Sequence, residues 1–245
     1  MSFFFCKARL LKMPRMNQQE KRALFHALFF PSIFIIAIWL IKIIELASGT
    51  RFAEFGIDPG TLKGIIGVFL APLIHSDFNH LINNSIPLFV LSAAVFYLYR
   101  PLHYKVFFII YLISGFMVWA IARTGIHIGA SGIVYGLVSF VFLSGLIRKD
   151  TGLMALSGFT VMFYGSMVWG ILPIDYTISW ESHLFGALTG LFCAVYYRKE
   201  GPQRKLFDWE YLQDTIEDAP DSPDAYWMNP EEEITNSSNN TNIIG

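Results

Sequence analysis

A serine in the run Gly129-Ala130-Ser131-Gly132 opens one hydrophobic span of this chain, and a histidine, His183, opens another further along. Both residues therefore meet the lipid from the same side. Ionisable side chains inside a bilayer are rare and mark functional sites. A serine and a histidine at matching depth are the minimal pair for acyl transfer, the imidazole taking the hydroxyl proton as the oxygen attacks a carbonyl. At a helix N-terminus the free backbone N–H groups also point outward, where they can hold a developing oxyanion. Taken alone, Gly-x-Ser-Gly reads as a helix cap with a packing serine. Two further coincidences change that reading. Gly132 and Gly136 form a small-residue face on the serine's span, and Gly186 and Gly190 form another on the histidine's. Such faces let membrane helices pack with their backbones nearly touching, which brings Ser131 and His183 within reach of each other.

Tyr135 lies one turn below Ser131 on the same helical face. Its ring is placed to stack on the imidazole and orient it, the task a carboxylate performs in soluble triads. Glu181 and Asp175 are the acids nearest His183 in sequence. Both fall in the preceding loop, and Glu181, two residues from His183, faces elsewhere on a helix. The reading is a Ser–His dyad. His80 and Asn84 share a face at the start of an earlier span and supply donors at the level of Ser131, suited to an oxyanion in a water-poor site. Asn83 points about 100° away from Asn84 and is expected to cap or pack. Neither a metal nor a cofactor is expected: His75 and His80 have no third ligand at suitable spacing, and the Gly129–Gly132 stretch lacks the lysine of a phosphate-binding loop.

These residues must be positioned by helices. With 54% hydrophobic and 15% charged residues, the chain is too apolar for an ordinary soluble domain. Its apolar residues come in blocks of membrane-spanning length, about 20 residues. Six spans are expected: Leu24–Ala47, His80–Tyr99, Val106–Ala122, Ser131–Ile147, Leu153–Pro173 and His183–Tyr197. Lipid offers the backbone no hydrogen-bond partners, so these runs must be helices in one all-α bundle. Six spans put both termini on one side. In an N-in arrangement 14 of the 18 basic residues are cytoplasmic, leaving Lys42, Arg51, Lys63 and Arg123 outside; the positive-inside bias selects that orientation.

Three segments are expected: a basic lead over residues 1–23, the membrane domain over 24–198, and an acidic tail over 199–245. Asp208 to Glu233 carries ten acidic residues and no basic one, which predicts a disordered tail and argues against nucleic acid. The two cysteines, Cys6 and Cys193, both fall on the cytoplasmic side, so no disulfide is expected. Between the first two spans lies a long loop, Ser48 to Asn79. Within it, Leu62 to Pro72 is apolar but too short to cross, and reads as a re-entrant or interfacial helix on the outer face.

Taken together, His75, the stretch His80-Leu81-Ile82-Asn83-Asn84, Gly129-Ala130-Ser131-Gly132 with Tyr135 and Gly136, and His183-x-x-Gly186-x-x-x-Gly190 resemble the rhomboid intramembrane serine proteases. The resemblance covers roughly residues 24–198. It implies Ser131 as nucleophile, His183 as general base, and His80, Asn84 and the Ser131 N–H as the oxyanion hole. It also implies Tyr135 packing on His183, and His75 as a structural loop residue. The family's Trp-Arg pair in the first outer loop is missing, Thr50-Arg51-Phe52 standing nearest, and the layout is the plain six-span bacterial form. The expected activity is cleavage of transmembrane protein substrates near the outer face of a cell (inner) membrane. A catalytically inactive membrane-protein binder or quality-control factor is the alternative, but it leaves the Ser, His and Asn set unexplained. A small transporter would require sequence repeats, and none is seen.

Overall fold

The computed structural model describes residues 17–174 and 178–204. The basic segment before Asn17, Asp175 and the acidic tail lie outside the described residues. Seven α-helices follow in order: α1 (Gln18–Ser48), α2 (Leu62–Leu70), α3 (Phe78–Leu98), α4 (His103–Ile121), α5 (Ser131–Arg148), α6 (Thr151–Tyr164) and α7 (Trp180–Tyr196). They form an all-α membrane bundle. Five segments are long and apolar enough to cross a bilayer: α1, α3, α4, α5, and α6 with the 3-10 segment that continues it to Ile171. The expected sixth span, α7, has 17 residues, about 25 Å at 1.5 Å per residue.

α1 starts earlier than its apolar run. Asn17 accepts from the Glu20 N–H and Glu20 returns the bond to the Asn17 N–H, both at 2.8 Å, a reciprocal cap that holds a polar first turn in the helix. The expected fifth span also differs in detail. Its α-helix ends at Tyr164, and Gly165–Ile171 tightens into a 3-10 turn. That change of pitch swings the Gly170 carbonyl toward α7.

α5 sits at the centre, packed against α3, α4, α6 and α7. Its contact with α7 is a meeting of backbones. A methyl group on Gly186 would collide with the Gly132 carbonyl, and one on Gly190 with the Gly136 carbonyl. Arg148 closes the other end. Buried at the foot of α5, it donates to the Tyr197 and Pro202 carbonyls, each at 2.6 Å, and to Ser144 Oγ at 2.9 Å, so the last turn of α7 is tied to α5 by charge-assisted bonds.

α2 is the short apolar helix expected in the loop between the first two spans. Its inner side meets α4: the Tyr111 hydroxyl donates to the Phe69 carbonyl, and Trp119 Nε1 donates to the Thr61 carbonyl at 2.8 Å. Leu62, Ile66 and Phe69 remain exposed on its other side. The loop is then sewn to the segment before α5. Ile57 and His127 exchange backbone hydrogen bonds of 2.9 Å, and the Gly129 N–H donates to the Ala71 carbonyl at 2.8 Å.

The backbone contact between α5 and α7 makes a direct prediction. Gly190→Val should lower stability in detergent by about 3 kcal/mol, the upper range for overpacking. Gly158→Ala, a helical glycine with open space around it, should change stability by no more than about 1 kcal/mol, in the stabilising direction. Thermal midpoints of the two variants measure the difference.

Candidate active site

Ser131 is the first residue of α5, with Ala130 as its N-cap. Gly129, just before, has φ 104°, a left-handed conformation that glycine adopts without strain. A side chain there would also strike the His80 ring. Glycine at this position therefore turns the chain into α5 and lets α3 approach the serine closely.

The α5–α7 contact sets the depth of the two reactive groups. His183 stands in the first turn of α7, and its Nε2 lies 2.9 Å from Ser131 Oγ. Nδ1 lies 2.8 Å from the Gly170 carbonyl oxygen. A carbonyl only accepts, so Nδ1 carries the proton and Nε2 is left as the acceptor for the serine hydroxyl. The Tyr135 ring lies parallel to the imidazole at 4.1 Å, 7° from coplanar. Its hydroxyl donates to the Met167 carbonyl at 2.7 Å. The imidazole is thus held on its face by Tyr135 and on its far edge by the 3-10 turn. A methyl at Gly170 would run into the Tyr135 hydroxyl and come within 3.2 Å of His183 Nδ1.

Across from the serine, His80 and Asn84 project from the start of α3 toward Gly129. Asn84 is buried, and one of its amide protons goes to the His80 carbonyl at 2.9 Å; the second remains for the cavity. His80 Nδ1 is 3.1 Å from Ser76 Oγ. The Ser76 hydroxyl donates to Asp77 Oδ2 at 2.7 Å, so toward His80 it accepts and Nδ1 carries the ring proton; Nε2 faces the site and becomes a donor when the ring takes a second proton. All of these groups line one cavity of about 920 Å³ that reaches Ser131, His183 and Tyr135, with Ile82, Ile86 and Pro87 of α3 on one wall and Tyr164 and Met167 on the other.

Several neighbours carry no motif in the sequence. Gly170 acts through its backbone oxygen, which leaves no mark on residue type. Lys42, buried near the end of α1, donates to the carbonyls of His75 and Ser76 at 3.0 and 2.9 Å and pairs with Glu45 at 2.7 Å. Glu45 in turn accepts the Phe52 N–H at 2.9 Å. One ion pair therefore holds both ends of the outer loop, in a protein without the Trp-Arg pair. Asp77 caps α3 through the His80 N–H at 2.9 Å. Asn83, expected to cap or pack, is instead exposed at the cavity. The loop before α7 is fastened by Arg123, whose Nε pairs with buried Glu181 at 3.1 Å and whose guanidinium donates to the Ile178 carbonyl at 2.9 Å. His127 Nδ1 and Ser179 Oγ add a contact of 2.5 Å. Glu181 is thus turned to Arg123. Among the described residues no group of acids, histidines and cysteines is arranged to hold a metal.

Sequence comparison agrees with this architecture. Residues 63–200 match the Rhomboid domain family. The chain is similar to uncharacterized proteins of Mycobacterium bovis and Mycobacterium tuberculosis, each 34% identical over 183 residues, covering 70% of this chain and 75% of the relative. An uncharacterized protein of Mycobacterium leprae is 28% identical over the same length, 70% of this chain and 71% of its own. The chain belongs to the rhomboid family, a family generally of intramembrane serine proteases. It is a multi-pass membrane protein.

Electrostatics in the loop behind the site give a prediction. His75 lies in the turn before α3, buried and edge-on to His80 at 5.0 Å. Burial, reinforced by the neighbouring His80, pushes its imidazole down to about 3. Asp77, beside it, is held below the ordinary carboxylate value by the Ser76 hydroxyl and the His80 N–H. The unfolded chain protonates this histidine below about 6.5, and the folded protein does not until about 3. The stability His75 contributes is therefore full above pH 6.5 and is lost as pH falls through that window. His75→Gln should flatten the dependence of the thermal midpoint on pH between 6.5 and 4.5 relative to the parent protein.

Proposed function

We propose that this chain is an intramembrane serine endopeptidase that cuts transmembrane segments of membrane proteins with a Ser131–His183 dyad. The observation that carries the reading is the 2.9 Å contact of His183 Nε2 with Ser131 Oγ, with Nδ1 engaged by the Gly170 carbonyl. That tautomer is ready to accept a proton from the serine. Ser131 Oγ attacks the substrate carbonyl as its proton passes to Nε2. The carbonyl oxygen becomes an oxyanion, met by Asn84 Nδ2 and the Ser131 N–H, with His80 Nε2 as a third donor when its ring is protonated. The C–N bond then breaks, and His183 returns the proton to the leaving amine. Water reaching Ser131 through the cavity hydrolyses the acyl-enzyme with His183 again as base.

The serine, histidine and α3 donors lie at one end of the bundle. By the distribution of basic residues that end is the outer face of a cell (inner) membrane, with both termini cytoplasmic. α7 is the sixth crossing in this reading, residues 24–198 are the membrane domain, and the segments 1–23 and 199–245 flank it. A regular helix hides its carbonyls in its own hydrogen bonds, so substrates should carry helix-weakening residues such as Gly or Pro at the outer end of a span.

Ser131→Ala and His183→Ala should each abolish cleavage of a transmembrane reporter and, in the serine variant, labelling by a fluorophosphonate, with the protein still folded. Full activity in either variant would sink the dyad. Asn84→Ala should slow turnover by about 10²–10³; a fall in thermal midpoint with an unchanged rate per folded molecule would make Asn84 merely structural. Mass spectrometry of the products should place the cut in the outer part of the substrate span.

A further inference from the structure

Across the bundle from the serine, α1 presents Gln19, Arg22 and His26 on one face, at successive helical turns. That face points at the junction of α3 and α4, where Arg100, His103 and Tyr104 complete a cleft of about 480 Å³. α3 starts at Phe78, with His80 beside the serine, and ends at this junction after 21 residues, about 30 Å away. The cleft is therefore independent of the catalytic cavity.

Its charge is unbalanced. Among the described residues no acid lines it, and none of their ion pairs involves Arg22 or Arg100. Glu20, the closest acid on α1, is engaged with the Asn17 N–H. Arg100 lies over the Tyr97 ring and gives its Nε to the Tyr97 carbonyl at 3.3 Å, a bond that does not use its two terminal nitrogens. α4 starts here with no side-chain cap and no acid in its first turn, so its helix dipole adds positive potential. Two guanidinium groups, two imidazoles and an amide around one cleft constitute a site for a phosphate diester.

The adjoining surface says which phosphate. Tyr104 is shared with a second groove of about 390 Å³, which runs along α4 past Phe108, Leu112 and Ile113 and is almost wholly apolar. A basic cleft at the membrane boundary that continues into an apolar groove along the span matches a headgroup followed by an acyl chain, and basic pockets between transmembrane helices bind anionic lipids.

We propose that this cleft binds one anionic phospholipid. Its phosphate sits among Arg22, Arg100 and the two histidines, and one acyl chain lies along Phe108, Leu112 and Ile113. Bound there, the lipid links the start of α1 to the α3–α4 junction. Nothing in this site depends on proteolysis, and its test uses no peptide cleavage.

The test is native mass spectrometry and thermal unfolding of the full chain in neutral detergent, with phosphatidylglycerol, phosphatidylcholine or inorganic phosphate added separately. The protein should retain phosphatidylglycerol in preference to phosphatidylcholine and gain in thermal midpoint with it, because a ligand bound only by the folded state stabilises it. Arg22→Gln/Arg100→Gln should lower retention at least tenfold. Arg198→Gln/Lys199→Gln removes the same charge at the same end of the bundle outside the cleft, and should retain the lipid as the parent does. Equal losses in both pairs would mean diffuse attraction and overturn the site, as would unchanged retention in the first pair. Stabilisation by inorganic phosphate equal to that by lipid would also overturn the lipid assignment. Should the double variant fail to fold, Arg100→Gln alone and the lipid preference of the unaltered protein decide.

Discussion

Everything at the site depends on how closely two helix backbones approach. Ser131 is in the first turn of α5 and His183 in the first turn of α7, so their separation is set by the spacing of the helices. The Gly132–Gly186 and Gly136–Gly190 contacts bring carbonyls of α5 into the space where side chains of α7 would otherwise stand. In lipid no hydrophobic force drives helices together, and packing of this kind is what holds them. A single methyl group on Gly186 or Gly190 would widen the gap, and 2.9 Å between Nε2 and Oγ leaves no slack for it. The same glycines that stabilise the bundle therefore also set the geometry of its chemistry.

The charged groups at the serine's end of the bundle are tied together in a connected way. Lys42 and Glu45 on α1 hold the turn before α3 and the start of the outer loop; Asp77 in that turn caps α3; and α3 presents His80 and Asn84. On the far side Arg123 and His127 fasten the segment that leads into α7. A buried ammonium or carboxylate without partners would be costly in this setting. Each of these charges instead ends on a carbonyl, an N–H or an opposite charge belonging to a different segment. The loop between α1 and α3 is thereby anchored at several points beside the cavity, and its anchors reach the site through hydrogen bonds rather than by touching it.

How much of this is readable from sequence depends on what kind of atom does the work. Ser131, Tyr135, His80, Asn84 and His183 can be placed because helical periodicity converts their spacing into shared faces and depths, and because the glycine pairs announce the helices that meet. The short helix in the outer loop is readable from an apolar run too short to cross. Gly170 is not readable, since a carbonyl is present at every residue and only the 3-10 turn aims this one. Lys42 and Glu45 appear in the sequence only as two charges beside a span; their partners are backbone oxygens and an N–H in loops whose path no periodicity predicts. The early start of α1 is hidden for a different reason: a reciprocal cap extends the helix through residues that an apolar pattern excludes. Asn83 shows the opposite error: read as capping or packing, it is exposed at the cavity, and Asp77 caps α3.

The position of Gly170 also constrains how the cavity can open. In the proposed protease a transmembrane segment, far larger than a side chain, would have to reach Ser131 between α3 and α6, whose side chains form facing walls of the cavity. The segment Thr151–Ile171 is the least buried of the long helices, which makes it the cheapest to displace. Yet its last turn carries the two carbonyls that orient His183 and Tyr135. If the whole segment swung outward, the imidazole would lose the bond that fixes its tautomer at the moment a substrate arrived. The change from α-helix to 3-10 geometry at Gly165 resolves this conflict. Were α6 up to Tyr164 to tilt about that junction while Met167 and Gly170 stayed with α7, access and a preoriented base would be compatible within one span.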